Sequence, residues 1–374
     1  MMALFRDFRS YLFRTLCDHL PISRRKIVFC NFDGRGWGEN PKYIAEEIIR
    51  QKLPYKLVWL SNSHTGFPNA IKVVSWGSHR AIIELSSARI IINNVKTGLP
   101  FKKKKNQYYI QTWHSDFGIK LIEKEVESQL DPYYVSTSKK DSAMTDLIIA
   151  GSKFMANVYK TSFWYSGEIL ESGLPRNDLF FTATSETIKH EKETLGLKPN
   201  IRILLYAPTF RENHSGYRKP HLRHIADALN SSEEMWMIIL RHHPNEADID
   251  IPCNHPFIKD FSSFPDPQII ELVSDILLTD YSSMMHDFAL MKKPVIMYTP
   301  DLETYKQQRG IRPVFDKLPF ITCKTTDDII YTINNFPYQT YRKNLDSFLE
   351  EYVGSFDQGT ASKTVVNRIK EIIQ

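Results

Sequence analysis

The chain has 374 residues, of which 42% are hydrophobic, 12% aromatic and 24% charged. This length is enough for two domains with separate cores, and the composition excludes disorder, collagen and a disulfide-stapled miniprotein. Forty-eight Lys and Arg against 43 Asp and Glu leave a net charge of +5. That excess is too small to indicate a nucleic-acid partner, and aromatic and basic residues are not interleaved as in a nucleic-acid-binding module.

The N-terminal segment 1–20 predicts an amphipathic helix. Its apolar face carries Met1, Leu4, Phe5, Phe8, Leu12 and Leu16. Arg6, Asp7, Arg9 and Arg14 interrupt the apolar run that a signal peptide needs, and no run elsewhere approaches the roughly 18 residues of a membrane span. The helix either lies in a membrane interface or packs on its own protein. We therefore expect a cytoplasmic protein, soluble or peripheral.

Short apolar runs alternate with helical patterns along most of the chain, and the runs predict buried strands. In the first half these are Lys26–Phe32, Lys56–Leu60, Arg89–Asn93, Tyr108–Trp113 and Leu147–Ala150, with helices at Pro41–Gln51 and Ser78–Ser87. After about residue 195 they are Ile201–Ala207, Met235–Arg241, Asp275–Thr279 and Pro294–Tyr298. Near-continuous apolar strands separated by helices indicate parallel sheets covered on both faces.

The polar stretch Ser185–Asn200 marks a domain boundary between two α/β halves of similar size. We expect the N-terminal helix 1–20, a first Rossmann-like domain 21–185, a second 186–355 and a closing helix 356–374, with the two domains facing each other across a cleft. The cysteines Cys17, Cys30, Cys253 and Cys323 have neither metal-ligand nor disulfide-framework spacing. They indicate a reducing compartment.

Ligands of open parallel sheets bind beyond the carboxyl ends of the strands, so the residues that follow each apolar run are the candidates for a site. The first group is Asn31–Tyr43, which contains Gly34, Gly36 and Gly38. It fits either a flexible strand–helix turn or an anion site at a helix N-terminus. Neither the GxGxxG dinucleotide fingerprint nor a P-loop occurs.

The second group is Gln111–Lys120, which begins at the tip of a predicted strand. His114 has the right position for a general base of near-neutral pKa, although a lone histidine is also common as a structural residue. Asp116 would orient His114 if the turn folds back. The preceding lysines, Lys102 to Lys105, form a solvated loop or raise the local positive potential.

The third group lies at three strand ends of the second half and suits a phosphate or diphosphate. The strand ends are Tyr206–Arg211, Arg241–Pro244 and Thr279–Ser283. The candidate substrate-binding residues are Pro208, Thr209, Arg211, Arg241, Thr279, Asp280, Tyr281, Ser282, Ser283 and Asp287. Neither a zinc-type ligand spacing nor an acidic DxD-type cluster accompanies them, so we expect neither a metal nor a cofactor.

Together these segments resemble the CDP-glycerol glycerophosphotransferase family, the teichoic acid primases and polymerases. Seven motifs occur in order over some 280 residues and carry the resemblance. They are Asp33–Tyr43, Gln111–His114, Gly173–Asp178, Tyr206–Arg211, Arg241–Pro244, Thr279–Ser283 with Asp287 and Phe288, and Asp301–Glu303 with Tyr305, Arg309 and Gly310.

The resemblance implies a GT-B fold and a transferase that moves a polyol phosphate, most simply glycerol phosphate, from a CDP-polyol to a hydroxyl of a lipid-linked glycan or polymer, releasing CMP. It implies that His114 is the base and that His243, rather than His242, holds a diphosphate oxygen as the second catalytic residue. The implied partners are the donor, the acceptor and an anionic membrane surface at the cytoplasmic face.

The family usually has WHGT followed by Pro and Leu, where this chain has His114-Ser115-Asp116-Phe117-Gly118. Because this departure adjoins the proposed base, it leaves the acceptor and the polyol open. The alternatives are a CDP-ribitol-dependent ribitolphosphotransferase, a GT-B glycosyltransferase that uses a nucleotide sugar, and a non-catalytic membrane-associated partner of an envelope synthase.

Overall fold

A computed structural model describes residues 13, 15–209, 211, 217–231, 234–242 and 255–374. Residues 13 and 15–18 are helical, and the rest of the predicted N-terminal amphipathic face lies outside the described residues. None of the helices in the described part combines the length and the apolar character that a membrane span requires.

Strands and helices alternate along the chain, as the sequence predicted. The strands are β1 (Ser23–Cys30), β2 (Lys56–Ser61), β3 (Ile71–Ser75), β4 (Ala88–Asn93), β5 (Tyr108–Gln111), β6 (Leu147–Ala150), β7 (Glu168–Glu171), β8 (Arg202–Ala207), β9 (Trp236–Leu240), β10 (Ile258–Asp260), β11 (Ile276–Thr279), β12 (Val295–Tyr298) and β13 (Ile321–Cys323). The α-helices are α1 (Glu39–Arg50), α2 (His79–Ser86), α3 (Pro132–Met144), α4 (Lys153–Ser162), α5 (Asp178–Thr182), α6 (Ser185–Thr194), α7 (Leu222–Leu229), α8 (Pro267–Val273), α9 (Met284–Leu290), α10 (Leu302–Arg309), α11 (Thr326–Asn334), α12 (Tyr338–Phe348) and α13 (Ala361–Ile373).

The chain divides into two compact units that interleave in sequence. The first unit comprises residues 1–114, 123–178 and 356–374, and the second comprises 115–122 and 179–355. The chain therefore passes into the second unit directly after His114 and returns to the first at Glu123.

The first unit contains a seven-stranded parallel sheet of order β3-β2-β1-β4-β5-β6-β7. Successive β1 residues face opposite sides of this sheet, as the two-residue period of a strand requires. Ile27 and Phe29 pack into the core that includes residues of α1 and α13, whereas Val28 and Cys30 pack into the core that includes residues of α2. Both faces of the sheet are therefore covered, which explains why β1 is apolar at four consecutive positions.

The C-terminal helix α13 completes the core of the first unit. Its Val365, Val366 and Ile369 are fully buried in the same cluster as Phe29. The Asp178 carboxylate accepts hydrogen bonds from the first amides of this helix, Ala361 N at 2.8 Å and Ser362 N at 2.7 Å. The carboxylate thus supplies acceptors for amides that have no partner within the helix. Its negative charge also interacts favourably with the positive N-terminal end of the helix dipole.

The second unit contains a six-stranded parallel sheet of order β10-β9-β8-β11-β12-β13. Its central strands β8 and β11 pair in register, with Leu204 opposite Ile276 and Ala207 opposite Thr279. In each sheet the strand order reverses once, between β1 and β4 in the first and between β8 and β11 in the second. These switch points are where ligands of doubly wound sheets bind.

Candidate functional site

At the switch point of the first sheet, two asparagines connect the ends of β1 and β4. Asn94 Nδ2 donates to Asn31 Oδ1 at 2.8 Å, and Asn94 Oδ1 accepts from the Phe32 amide at 2.9 Å. Asn31 Nδ2 in turn donates to Gly36 O at 3.2 Å. The loop that follows β1 is therefore tied to the end of β4 by side-chain amides, and it is not merely a flexible turn.

His114 lies next to this network, after the end of β5. Its Nδ1 is 2.9 Å from the main-chain oxygen of Asn94. Because a carbonyl oxygen only accepts, Nδ1 carries the proton in this contact, and Nε2 of the neutral ring is left with the lone pair. The half-buried imidazole also contacts the rings of Phe32 and Trp113, with centroids at 5.2 and 4.3 Å. The tautomer and orientation suit a general base.

Behind His114, a buried hydrogen-bond chain joins three of the sequence motifs. Trp113 O accepts from Asn40 Nδ2 at 3.0 Å, and Asn40 Oδ1 accepts from the Arg176 amide at 3.1 Å. The Arg176 guanidinium pairs with Glu39 at 2.8 Å, with both side chains buried. Phe32 and Trp113 have φ values of +40° and +52°, a left-handed conformation that costs energy for non-glycine residues and is retained where the surroundings enforce it.

At the switch point of the second sheet, Asp280 links the ends of β8 and β11. Its Oδ1 accepts from the Thr209 amide at 2.9 Å and from the Tyr281 amide at 2.6 Å. Its Oδ2 accepts from Arg211 Nη1 at 2.7 Å. Asp280 therefore shapes the loops around the switch point.

Arg211 is the centre of this cluster and is almost completely buried. Its Nε donates to Asp301 at 2.8 Å, and its Nη1 also donates to Thr209 O at 3.0 Å. The Tyr217 ring covers the guanidinium at 3.6 Å. Although burial opposes the charge, Asp280 and Asp301 raise the pKa of Arg211. Two carboxylates thus more than neutralise one guanidinium, so Arg211 serves to organise the loops.

Two stacked tyrosines form another part of the same cluster. Tyr281 and Tyr305 have ring centroids 3.7 Å apart and planes 14° from parallel. Tyr281 OH donates to Asp301 Oδ1 at 3.0 Å. Helix α10, which begins after Asp301 and carries Tyr305, is therefore bound to the end of β11.

The remaining predicted residues near β8 and β11 have mixed environments. Pro208 and Thr209 are half-buried, and Thr209 Oγ1 is a buried atom with no hydrogen-bond partner among the described residues. The Thr279 hydroxyl donates to Ala207 O at 2.7 Å, a contact between strands. Asp287 is buried on α9.

Ser282 and Ser283 are half-buried and precede α9, a helix of seven residues. Ser282 Oγ accepts from the Met284 amide at 3.3 Å. Ser283 occupies the N-cap position without a capping side-chain hydrogen bond. One of the first helical amides is thus already bound within the protein.

The third strand end carries Arg241 and His242. Arg241 Nη1 donates to Phe261 O at 3.1 Å and Phe264 O at 3.0 Å. Neither ring nitrogen of the buried His242 has a hydrogen-bond partner in the described part of the chain, and burial lowers its pKa. His243, the predicted second catalytic residue, lies outside the described residues.

Residues 115–122, which follow His114, belong to the second unit. Asp116 Oδ2 lies 3.8 Å from His286 Nδ1, and both side chains are buried. Asp116, which the sequence analysis considered as an orienting group for His114, is thus placed against His286 of α9. Nothing in the spacing of the sequence connects these two positions.

Comparison with known proteins gives a match along nearly the whole chain. The profile of the family described as CDP-glycerol:poly(glycerophosphate) glycerophosphotransferase matches residues 12–371. A teichoic acid poly(glycerol phosphate) polymerase of Bacillus spizizenii is 29% identical over 377 residues, covering 96% of this chain and 95% of the relative. A teichoic acid poly(ribitol-phosphate) polymerase of the same species is 28% identical over 362 residues, covering 94% of this chain and 57% of the relative.

A solved structure of a variant of the wall teichoic acid polymerase TagF, soaked with CDPG, superposes with a TM-score of 0.88 at 25% identity. The match covers 99% of this chain and 96% of that chain. The chain belongs to the CDP-glycerol:poly(glycerophosphate) glycerophosphotransferase family. The family, the α/β GT-B fold class and the enzyme class predicted from the sequence are thereby confirmed.

Two residues of the second unit were not among the predicted site residues. Asp301 follows β12 by three residues, so the rule of inspecting strand ends could have found it. Lys120 lies in the 115–122 segment, and only the position of that segment in the second unit connects it with Asp280.

No group of three or more His, Cys, Asp or Glu that could hold a metal occurs among the described residues.

Proposed function

We propose that this protein transfers glycerol phosphate from CDP-glycerol to a hydroxyl of a teichoic-acid-type acceptor. The observation that carries this proposal is the family match over residues 12–371. Support comes from the similarity to a polymerase structure soaked with CDPG and to a poly(glycerol phosphate) polymerase that this chain covers almost completely. The acceptor is a lipid-linked glycan or growing polymer.

In the proposed reaction, the acceptor oxygen attacks the glycerol-bearing phosphorus and forms a new P–O bond. The bond from that phosphorus to the bridging oxygen breaks, and CMP leaves with the electron pair. His114 Nε2 accepts the hydroxyl proton, since Nδ1 is held by Asn94 O. Such a reaction needs in-line positioning, proton removal and stabilisation of negative charge.

We assign the acceptor side to the first unit and CDP-glycerol binding to the second. The proposed donor ligands are Pro208, Thr209, Arg241, Thr279, Tyr281, Ser282, Ser283 and His243. Asp280, Asp287 and Arg211 belong to the same site, but the two carboxylates on Arg211 make it a scaffold. Other groups must then supply most of the positive charge and hydrogen-bond donors that bind the phosphates.

We propose that the protein works at the cytoplasmic face of a membrane, bound to anionic lipid. Of the basic residues near the start of β1 and before β5, Arg24, Arg25, Lys102 and Lys105 are exposed. Lys26 is paired with Glu84 at 2.6 Å, and Lys104 donates to Leu20 O and Ser86 O at 2.7 Å. At about 1 kcal/mol for each exposed basic residue, the four give reversible attachment.

Flotation with liposomes tests this attachment. We expect binding to vesicles that contain phosphatidylglycerol at low salt and loss of binding as the salt concentration rises. The variant with Arg24, Arg25, Lys102 and Lys105 changed to Gln should bind less. Absence of wild-type binding at low salt would exclude the membrane proposal without affecting the proposed transfer reaction.

The central experiment measures CMP release from CDP-glycerol and, separately, from CDP-ribitol, with a lipid-linked acceptor. Release from CDP-glycerol alone supports the proposal. Release only from CDP-ribitol favours the second candidate, a ribitolphosphotransferase, which the 28% identity to a poly(ribitol-phosphate) polymerase makes relevant. Hexose transfer from a nucleotide sugar, or no turnover with any donor, would instead point to the glycosyltransferase or the non-catalytic partner.

A further inference from the structure

The 115–122 segment is anchored at its first end by buried aromatic packing. The Phe117 ring is fully buried and lies roughly parallel to the His286 ring, with centroids 5.9 Å apart, and it meets Phe348 edge-on at 5.6 Å. The Asp116 carboxylate is 3.8 Å from the same histidine. Because burial of an aromatic side chain of this size is strongly favourable, this end of the segment is firmly held.

At its other end the segment is fixed by the residues that follow α10. The Arg312 amide donates to Ile119 O at 2.7 Å, and its guanidinium donates to Gly118 O at 3.0 Å and to Lys120 O. Lys120 also forms an antiparallel bridge with Ile311. The backbone of Lys120 is therefore held on both sides.

Close packing at Gly310 strengthens this anchor. Gly310 has a φ of +67°, and a Cβ added there would lie 2.7 Å from Leu121 Cδ1. The Leu121 amide donates to Gly310 O at 3.3 Å. The turn after α10 thus favours glycine for its conformation, and the Leu121 side chain packs closely against it.

This anchor places Lys120 beside the Arg211 cluster. Its ammonium is attracted by Asp280 and repelled by Arg309 and Arg211. Burial is the main cause that lowers the pKa of Lys120 to about 8. The side chain is half-buried and makes no hydrogen bond or ion pair within the described part of the chain. A partly desolvated cation without a bound counter-ion is costly unless an anion joins it.

The other cation of the cluster is not available to a ligand in the same way, because Asp280 and Asp301 already neutralise Arg211. Nearby, the buried Thr209 Oγ1 also lacks a partner among the described residues. An ammonium group carries three donors. In the described part of the chain, the site therefore combines an ammonium that makes no direct ion pair with a hydroxyl that has no hydrogen-bond partner.

We propose that Lys120, carried into the second unit by the 115–122 segment, binds the diphosphate of the CDP-glycerol donor. This inference rests on the proposed function, and it assigns to that function a phosphate ligand six residues after the proposed base. The Lys120 ammonium would donate hydrogen bonds to the oxygens of the diphosphate.

The test is calorimetric titration of CDP-glycerol into wild type, Lys120→Gln and Lys120→Arg. Loss of a charge-assisted hydrogen bond is expected to weaken the Kd of Lys120→Gln by about 10- to 100-fold. Lys120→Arg, which keeps the charge, should lie between the two. Lys124→Gln is the matched control, because Lys124 is exposed and lies just beyond the segment, and its Kd should equal that of wild type.

Thermal unfolding establishes whether Lys120→Gln is folded. If it is not folded, the test is instead the wild-type Kd for CDP-glycerol, measured from about pH 7 to about pH 9.5. A Kd that stays the same over that range overturns the proposal. A folded Lys120→Gln variant with the wild-type Kd also overturns it. If instead the wild-type protein neither binds CDP-glycerol nor releases CMP from it, the proposed function itself fails together with this assignment.

Discussion

His114 Nδ1 and the main-chain oxygen of Asn94 lie 2.9 Å apart, and this contact determines which ring nitrogen can act as a base. Asn94 is itself bound to Asn31 and to the Phe32 amide. The ends of β1 and β4 therefore control the tautomer of a histidine at the end of β5. In this tautomer Nε2 is the ring atom that can accept a proton.

The first prediction concerns His114→Ala. General-base catalysis is typically worth about 10²- to 10⁴-fold, so we expect kcat for CMP release to fall by that factor while the Kd for CDP-glycerol changes little. His190→Ala, an exposed histidine on α6, should retain wild-type activity. A His114→Ala enzyme with near-normal kcat is incompatible with its role as the base.

The second prediction concerns Arg211→Met, which leaves Asp280 and Asp301 buried together without their cation. Breaking a buried ion pair on one side typically costs about 3–5 kcal/mol, so urea denaturation should show a loss of that order in the free energy of unfolding. Arg202→Met is the matched control, since Arg202 pairs with the largely exposed Glu234 and such pairs contribute about 0–1 kcal/mol. Equal losses in the two variants would contradict the scaffold role.

The third prediction is a pH dependence of donor binding. The pKa of Lys120, lowered to about 8 by burial with Asp280, Arg309 and Arg211 as its charged neighbours, means that the free protein loses this ammonium as pH rises above about 8. The affinity for CDP-glycerol, whose diphosphate keeps its charge throughout, should therefore fall at alkaline pH. Calorimetry on Lys120→Arg should show a smaller decrease in this affinity at alkaline pH, because arginine stays protonated.

The fourth prediction concerns stability and Asp141. Burial raises its pKa to about 6, even though the Thr97 amide and Tyr109 OH each donate to it at 3.0 Å. Between the unfolded value near 3.8 and this value, the folded state holds the proton more tightly. The protonated Asp141 therefore contributes on the order of 3 kcal/mol to the free energy of unfolding below the unfolded pKa. This contribution is lost as pH rises through about 6.

Asp141→Asn removes this titration and keeps an acceptor for both donors. Urea denaturation from about pH 4 to about pH 7 should show the free energy of unfolding of wild type falling relative to that of the variant. Parallel curves for the two proteins would contradict the raised pKa.

Among the strands of the described residues, those predicted from the sequence are all interior to the two sheets, and the four that were not predicted are the edges β3, β7, β10 and β13. Interior strands are covered on both faces and are continuously apolar, as in β6 and β12. Edge strands are half-exposed: β7 consists of two glutamates around Ile169 and Leu170. A hydrophobic run is thus a signal of the sheet interior, and it weakens at the edge.

Placement of His114, Asp280 and Arg211 at strand ends was predictable, because parallel strands bring their carboxyl ends to one edge. Which side chains contact each other there was not predictable. The pairing of Arg211 with Asp301 joins positions 90 residues apart, and that of Asp116 with His286 joins positions on α9 and on a segment whose unit the pattern did not reveal. Such pairings depend on tertiary packing, which produces no periodic pattern in the sequence.

The interleaving of the two units has a practical consequence for protein engineering. A single cut near residue 180 would not yield either unit intact, because residues 115–122 and 356–374 would each remain with the wrong fragment. A chimaera that takes its second unit from a relative must also receive that relative's equivalent of residues 115–122. A graft made without that segment would combine residues 179–355 of one parent with Asp116, Phe117 and Lys120 of the other, so an altered activity could not be attributed to one parent's second unit.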